Sequence, residues 1–117
     1  MTAKRRPYVK RFVKTSDGST NFDIDTNPVP AGKKIVITHV SAKDETSAFT
    51  ALQIGIVRKG YFHAKEEEKN PNADTWYWSK SEFHMYEGEK FRVRFIGTTS
   101  GDVLHVHIDG YMDEVNL

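Results

Sequence analysis

Apolar and polar side chains alternate with a period of two along almost the whole chain, the pattern of half-buried strands. In "NFDIDT", Phe22 and Ile24 share one face and Asp23 and Asp25 the other. "KIVITHV" is rich in β-branched residues and reads as a buried strand, with Ile35, Ile37 and His39 on one face and Val36, Thr38 and Val40 on the other. "FTALQIGIV" aligns Leu52, Ile54 and Ile56, and "FRVRF" sends Phe91, Val93 and Phe95 inward and Arg92 and Arg94 outward. Further strands are expected at 8–14, 61–65, 75–79, 82–86 and along "VLHVHIDGYM". Between them lie turn and loop signals: "SDGS", "NPVPAGKK" with two Pro and a Gly, "SAKDETSA", "RKG", the long polar stretch "EEEKNPNAD", "YEGEK" and "GTTSGD".

No window combines caps, a 3.6-residue apolar stripe and sufficient length for a helix; "AKEEEKN" lacks an apolar face and runs into Pro71. Eight or nine short strands at this spacing predict an all-β chain, a single antiparallel β-sandwich of about eight strands. The loops are longer than hairpin turns, which favours the jelly-roll type. A length of 117 residues suits one domain able to bury a core without staples. We divide it into a basic N-terminal arm, 1–14, and a sandwich, 15–117.

Charge adds the reason for that division. The net charge is +1, yet the first fourteen residues hold six positive charges and no acid, leaving eleven basic against sixteen acidic residues in the remainder. A basic arm on an acidic body is attracted to something anionic, either nucleic acid or the acidic face of a neighbouring identical subunit. With no Cys, thiolate chemistry, disulfides and Cys-ligated zinc are excluded. The longest uncharged run, 46–57, is too short and too polar to span a bilayer as a helix, so no membrane partner is expected. The N-terminus lacks the apolar run of a signal peptide, and use outside the secretory pathway is expected.

Candidate chemistry is sparse. His105 and His107 fall on one strand face and could give two metal ligands, as in cupins, with His39 or His84 as a third. The spacing of Gly101 before the pair, and of Glu114 after it, departs from the cupin pattern. No metal and no other cofactor is therefore expected. There is no Gly-x-Ser-x-Gly elbow and no phosphate-cradling glycine loop before a helix. The acid pairs Asp23/Asp25 and Glu87/Glu89 sit beside turns, where carboxylates are ordinarily solvated. The chain is expected not to be an enzyme.

Two segments suggest partner binding. Trp76-Tyr77-Trp78 admits three arrangements: Trp76 and Trp78 in the core, a platform for a sugar or base with Tyr77 buried, or a subunit contact, where Trp and Tyr are enriched. The arm carries Lys4, Arg5, Arg6, Lys10 and Arg11 interleaved with Pro7, Tyr8, Val9, Phe12 and Val13. Such a segment can dock on a neighbour as an added strand, apolar residues giving area and cations giving register. Arm exchange is favoured over nucleic-acid binding.

The spans "PAGKKIVITHVSAKDETSAFTALQIGIVRKGYF" and "MYEGEKFRVRFIGTTSGDVLHVHIDGYM" have a layout that resembles small jelly-roll decoration, or cement, proteins of tailed bacteriophage heads. The resemblance covers roughly residues 28–112 and rests on the order of turns and strands, not on a diagnostic motif. It implies a non-enzymatic homo-oligomer, a trimer on the family's pattern, bound to a major capsid protein or another virion protein. The implied location is the virion, and the host cytoplasm during assembly. Similar layouts occur in carbohydrate-binding modules and receptor-binding heads, which form the alternative.

Overall fold

A computed structural model describes residues 5–115, and all their regular structure is β. Nine segments follow in order: β1 (Arg5–Thr15), β2 (Asn21–Asp25), β3 (Lys33–Asp44), β4 (Ala51–Arg58), β5 (Tyr61–Lys69), β6 (Tyr77–Ser79), β7 (Phe83–Met85), β8 (Lys90–Ile96) and β9 (Val103–Glu114). One sheet runs β1-β9-β3-β6, with β7 also on β3, and the other β2-β8-β4-β5. Every pair is antiparallel. β6 pairs with Val40–Ala42 and β7 with Ile35–Ile37, so the two are one edge strand interrupted at 80–82. Nine segments therefore fill eight positions, four per sheet, in the double-Greek-key order of a jelly roll.

The core lies between the sheets. Phe91, Val93 and Phe95 are fully buried against Ile37, Leu52, Ile54, Leu104 and Val106. Alternation predicts these positions because each strand gives every second side chain to the interior. On β3 the phase breaks once. Ile37 pairs with Gly110 and His39 with Asp109, so Thr38 is an extra residue on β3. This bulge keeps Ile35, Ile37, Val40 and Ala42 on the core side and turns His39 outward, against the expectation that His39 follows Ile37. A second bulge adds Lys65 to β5 opposite β4.

Two loop assignments change. "SAKD" is the end of β3, held in register by β9, and "EEEK" is the end of β5, held by β4. Polar composition misled here because an edge or end strand with a solvated face needs few apolar residues. The basic segment also differs from a separate arm: β1 pairs with β9 at every position from Arg5 to Thr15. The boundary at 14/15 falls inside that strand, and Tyr8 and Phe12 pack against the core.

The outer face of the five-stranded sheet

Both sheets have an outer face, and their chemistry differs. On the four-stranded sheet, Arg92 forms a bidentate pair with Asp25 (2.8 and 2.9 Å) and Arg94 with Asp23 (2.8 and 3.2 Å). Both guanidinium groups lie over the Phe62 ring, at 5.5 and 4.8 Å. Asp23 and Asp25 are thus arginine clamps instead of solvated acids. Glu89 is also not simply solvated: it is buried, accepts from the Tyr86 N–H at 2.7 Å and pairs with Arg58 at 3.2 Å.

The five-stranded sheet instead presents large apolar groups. Val9 and Val13 of β1 are 52% and 61% exposed, and Trp76 and Trp78, beside and on β6, are 39% and 58% exposed. The register puts all four on the outer face. Val13 stands beside His105, which stands beside Lys43; Arg11 stands beside His107, then Ser41, then Trp78. Trp76 completes the first row, its ring 4.9 Å from His107 and 6.2 Å from His105, with Lys43 Nζ 4.8 Å from its centroid.

This settles the direction of the aromatic step. Trp76 and Trp78 face outward, and Tyr77 turns toward the core, so burial of the two Trp side chains is overturned. The reason lies in the opposite sheet. Tyr77 Oη donates to Glu66 Oε1 (3.1 Å) and Ser79 Oγ to Glu66 Oε2 (2.8 Å), closing the seam between β5 and β6. Burial and the Glu66 carboxylate push the Tyr77 phenol up to about 12. Burial alone would raise Glu66, but the hydroxyls of Ser79, Ser81 and Tyr77 hold it below the usual carboxylate range.

The basic residues meet acids of the same chain. Arg5 is bidentate to Asp113 (2.8 and 3.1 Å) and lies 3.8 Å from the Tyr111 ring centroid. Arg11 donates to Asp109 Oδ1 at 3.0 Å and to two backbone carbonyls. The acidic face sought by the basic segment is thus β9 itself. Lys10 points to the other face of β1, with its Nζ 5.4 Å from the Tyr8 ring, and Arg6 is exposed. Lys4 lies outside the described residues.

The histidines are distributed. His39, His105 and His107 share the outer face; His39 Nδ1 is 3.8 Å from Asp109 Oδ2 and His105 Nε2 2.9 Å from Glu45 Oε1. His84 lies elsewhere, on β7, beside Glu82. Among the described residues no three His or acidic side chains converge as a metal site. Burial, then Arg11 and His105, lower the His107 value, so its imidazole is neutral at neutral pH. Ser41 and Lys43 were not singled out from the sequence, and Val9 and Val13 were read only as apolar area of a docking arm, not as part of this sheet face. The signal available was the outward alternation Val9-Arg11-Val13, legible once the strand's inner face was known.

No family model and no curated protein matches the chain. A solved structure, that of infectious bursal disease virus, Gx strain, aligns with a TM-score of 0.29 and 10% identity over 96% of this chain. The chain spans 42% of the length of that one. A likeness at this level carries no argument about function.

Proposed function

We propose that the chain is a non-enzymatic structural subunit that assembles through the outer face of its five-stranded sheet. In the finer reading it is an oligomeric capsid-decorating protein of a tailed bacteriophage, found in the virion. One observation carries the assembly reading: Val9, Val13, Trp76 and Trp78 are exposed together at the two margins of one sheet face. With strands about 4.8 Å apart, the span from β1 to β6 is roughly 14 Å, wide for a single sugar ring and suited to a protein surface. The ionic groups between them are largely paired within the chain, so the face has little net field and favours a partner that buries area. Support for the virion reading is the layout resemblance, which is analogy at the level of the fold.

The test measures solution mass by light scattering on the full chain and on the double substitution Trp76→Ser, Trp78→Ser. The wild type is expected to associate at micromolar concentration, and the variant to be monomeric with an unchanged circular dichroism spectrum. A monomeric wild type that also fails to co-purify with virions would remove the proposal.

A second reading has its own support. A groove of roughly 290 Å³ beside Trp76 and Trp78 is lined by Asn70, Asn72 and Thr75, groups suited to sugar hydroxyls. A carbohydrate-binding module or receptor-binding head would use it, and a glycan array on the same two proteins distinguishes the readings.

A further inference from the structure

At one end of the sandwich two carboxyl groups are buried side by side. Asp44, the last residue of β3, is fully buried, and Asp102, just before β9, is 2% exposed. Three of their four oxygens have donors. Asp44 Oδ1 accepts from the N–H groups of Thr46 (2.9 Å) and Ser47 (3.0 Å). Asp102 Oδ1 accepts from Ser47 Oγ (3.0 Å), and Asp102 Oδ2 from the Thr99 N–H (3.0 Å). The fourth, Asp44 Oδ2, is buried without a donor.

The cations of the flanking segments are turned elsewhere. Lys43 reaches Asp74 at 2.7 Å, His105 meets Glu45, and Lys14 across β9 is exposed. Asp17 of the 16–20 loop is exposed and holds its own Ser19. A divalent cation of the calcium type takes about six to eight oxygens, and one free oxygen is a poor start for such a shell. A proton needs only that one. Placed on Asp44 Oδ2, it converts two facing acceptors into a donor and an acceptor, and removes one of two buried like charges.

The position matters because three loops meet there. The backbone N–H of Ser16 donates to Asp102 O and that of Gly101 to Ser16 O, both at 2.8 Å; the Ser16 and Thr98 hydroxyls are 2.7 Å apart. The Glu45 N–H donates to Val103 O at 2.9 Å, and the Asp74 N–H to Asp44 O at 2.7 Å, drawing in the loop that leads to β6. We propose that Asp44 and Asp102 form a buried site for a single proton, which latches the 16–20, 45–50 and 97–102 loops together and releases them when it leaves.

Burial and then Asp102 push the Asp44 carboxyl up to about 6. Asp102 is held below the usual carboxylate range by the hydrogen bonds from Asp44, Thr99 and Ser47, against the effect of burial. The folded state therefore takes up a proton on Asp44 that the unfolded chain lacks between about pH 4 and 6. The latch is complete below about 4 and lost as pH rises through about 6. Asp102 acts oppositely, weakening the end only when pH falls below the carboxylate range.

Two measurements on the full chain test this. Carboxyl-carbon NMR from pH 3 to 9 is expected to show one of the pair titrating near 6 and the other below the usual carboxylate range. Amide protection at Thr46, Ser47 and Thr99, corrected for intrinsic exchange, is expected to fall about tenfold between pH 5 and 8, the part above pH 5 of a roughly hundredfold range for two pKa units. In Asp44→Asn, whose amide donates permanently to Asp102, protection should no longer change with pH. Should that variant not fold, Asp102→Asn is expected to lower the Asp44 midpoint, leaving the part of the rise that burial causes. Both wild-type midpoints near 4, protection in Asp44→Asn that still follows pH, or an Asp44 midpoint unmoved in Asp102→Asn would each overturn the latch.

Discussion

Gly55 and Gly110 mark the two places where the sandwich departs from regular pairing. A Cβ on Gly55 would meet His63 O at 1.9 Å, and one on Gly110 would meet Val36 O at 2.0 Å. Neither glycine has positive φ, so the requirement is close backbone approach rather than conformational freedom. Each stands where its partner strand bulges: Lys65 is added opposite Gly55's side of the ladder, and Thr38 follows the pair Ile37–Gly110. The bulge on β3 in turn places His39 on the outer face and Val40 in the core. Gly110→Ala is therefore expected to cost about 2–4 kcal/mol, by forcing β3 and β9 apart where they are most tightly apposed. Urea denaturation checks it, and a loss under 0.5 kcal/mol would show that the backbone yields without penalty.

At the level of elements, β1 is the segment whose role changed most between sequence and structure. Six cations in its neighbourhood suggested an arm reaching for another molecule. Their local composition was legible, but the identity of the acids they meet depends on which strand lies beside them. Asp109 lies 98 residues from Arg11 and Asp113 lies 108 from Arg5, and no local pattern carries that pairing. What alternation did contain was the inner face, Tyr8 and Phe12, and such residues bury about 1.5–3 kcal/mol each when fully covered. Both are partly covered here, so deleting residues 1–15 is expected to cost several kcal/mol, a large share of the roughly 5–15 kcal/mol typical of a domain. The melting temperature should fall by more than 10 °C, where a detachable arm would leave it unchanged. The strands with two buried faces or a clean alternation, such as "FRVRF", were readable because their own residues decide their phase. The facing of β6, expected as a strand at 75–79, and the ends of β3 and β5 were not, because these are decided by a neighbour's register.

The whole molecule combines a face whose charges clamp each other around Phe62 with a face whose margins are apolar and whose centre holds three imidazoles. Both follow from one topology, since the jelly-roll order brings β1, β9, β3 and β6 together from across the chain. The Trp pair and the basic segment, separate in sequence, thereby become opposite margins of a single surface. If subunits meet there, the charge state of the middle matters. His107 is neutral at neutral pH because burial and Arg11 disfavour its charged form, and Arg11 and Lys43 already lie beside it. Acidification to below the usual imidazole range protonates His107 and brings like charges together across the contact. Association should weaken by about tenfold or less, the size of a single poorly placed charge of about 1 kcal/mol. Light scattering from neutral pH down through that range measures it, with His107→Gln expected to flatten the response. The buried carboxyl pair predicts the opposite trend for the loop end, which tightens on acidification. A pH response of association that persists in His107→Gln and disappears in Asp44→Asn would therefore move the assembly contact from the sheet face to the loops.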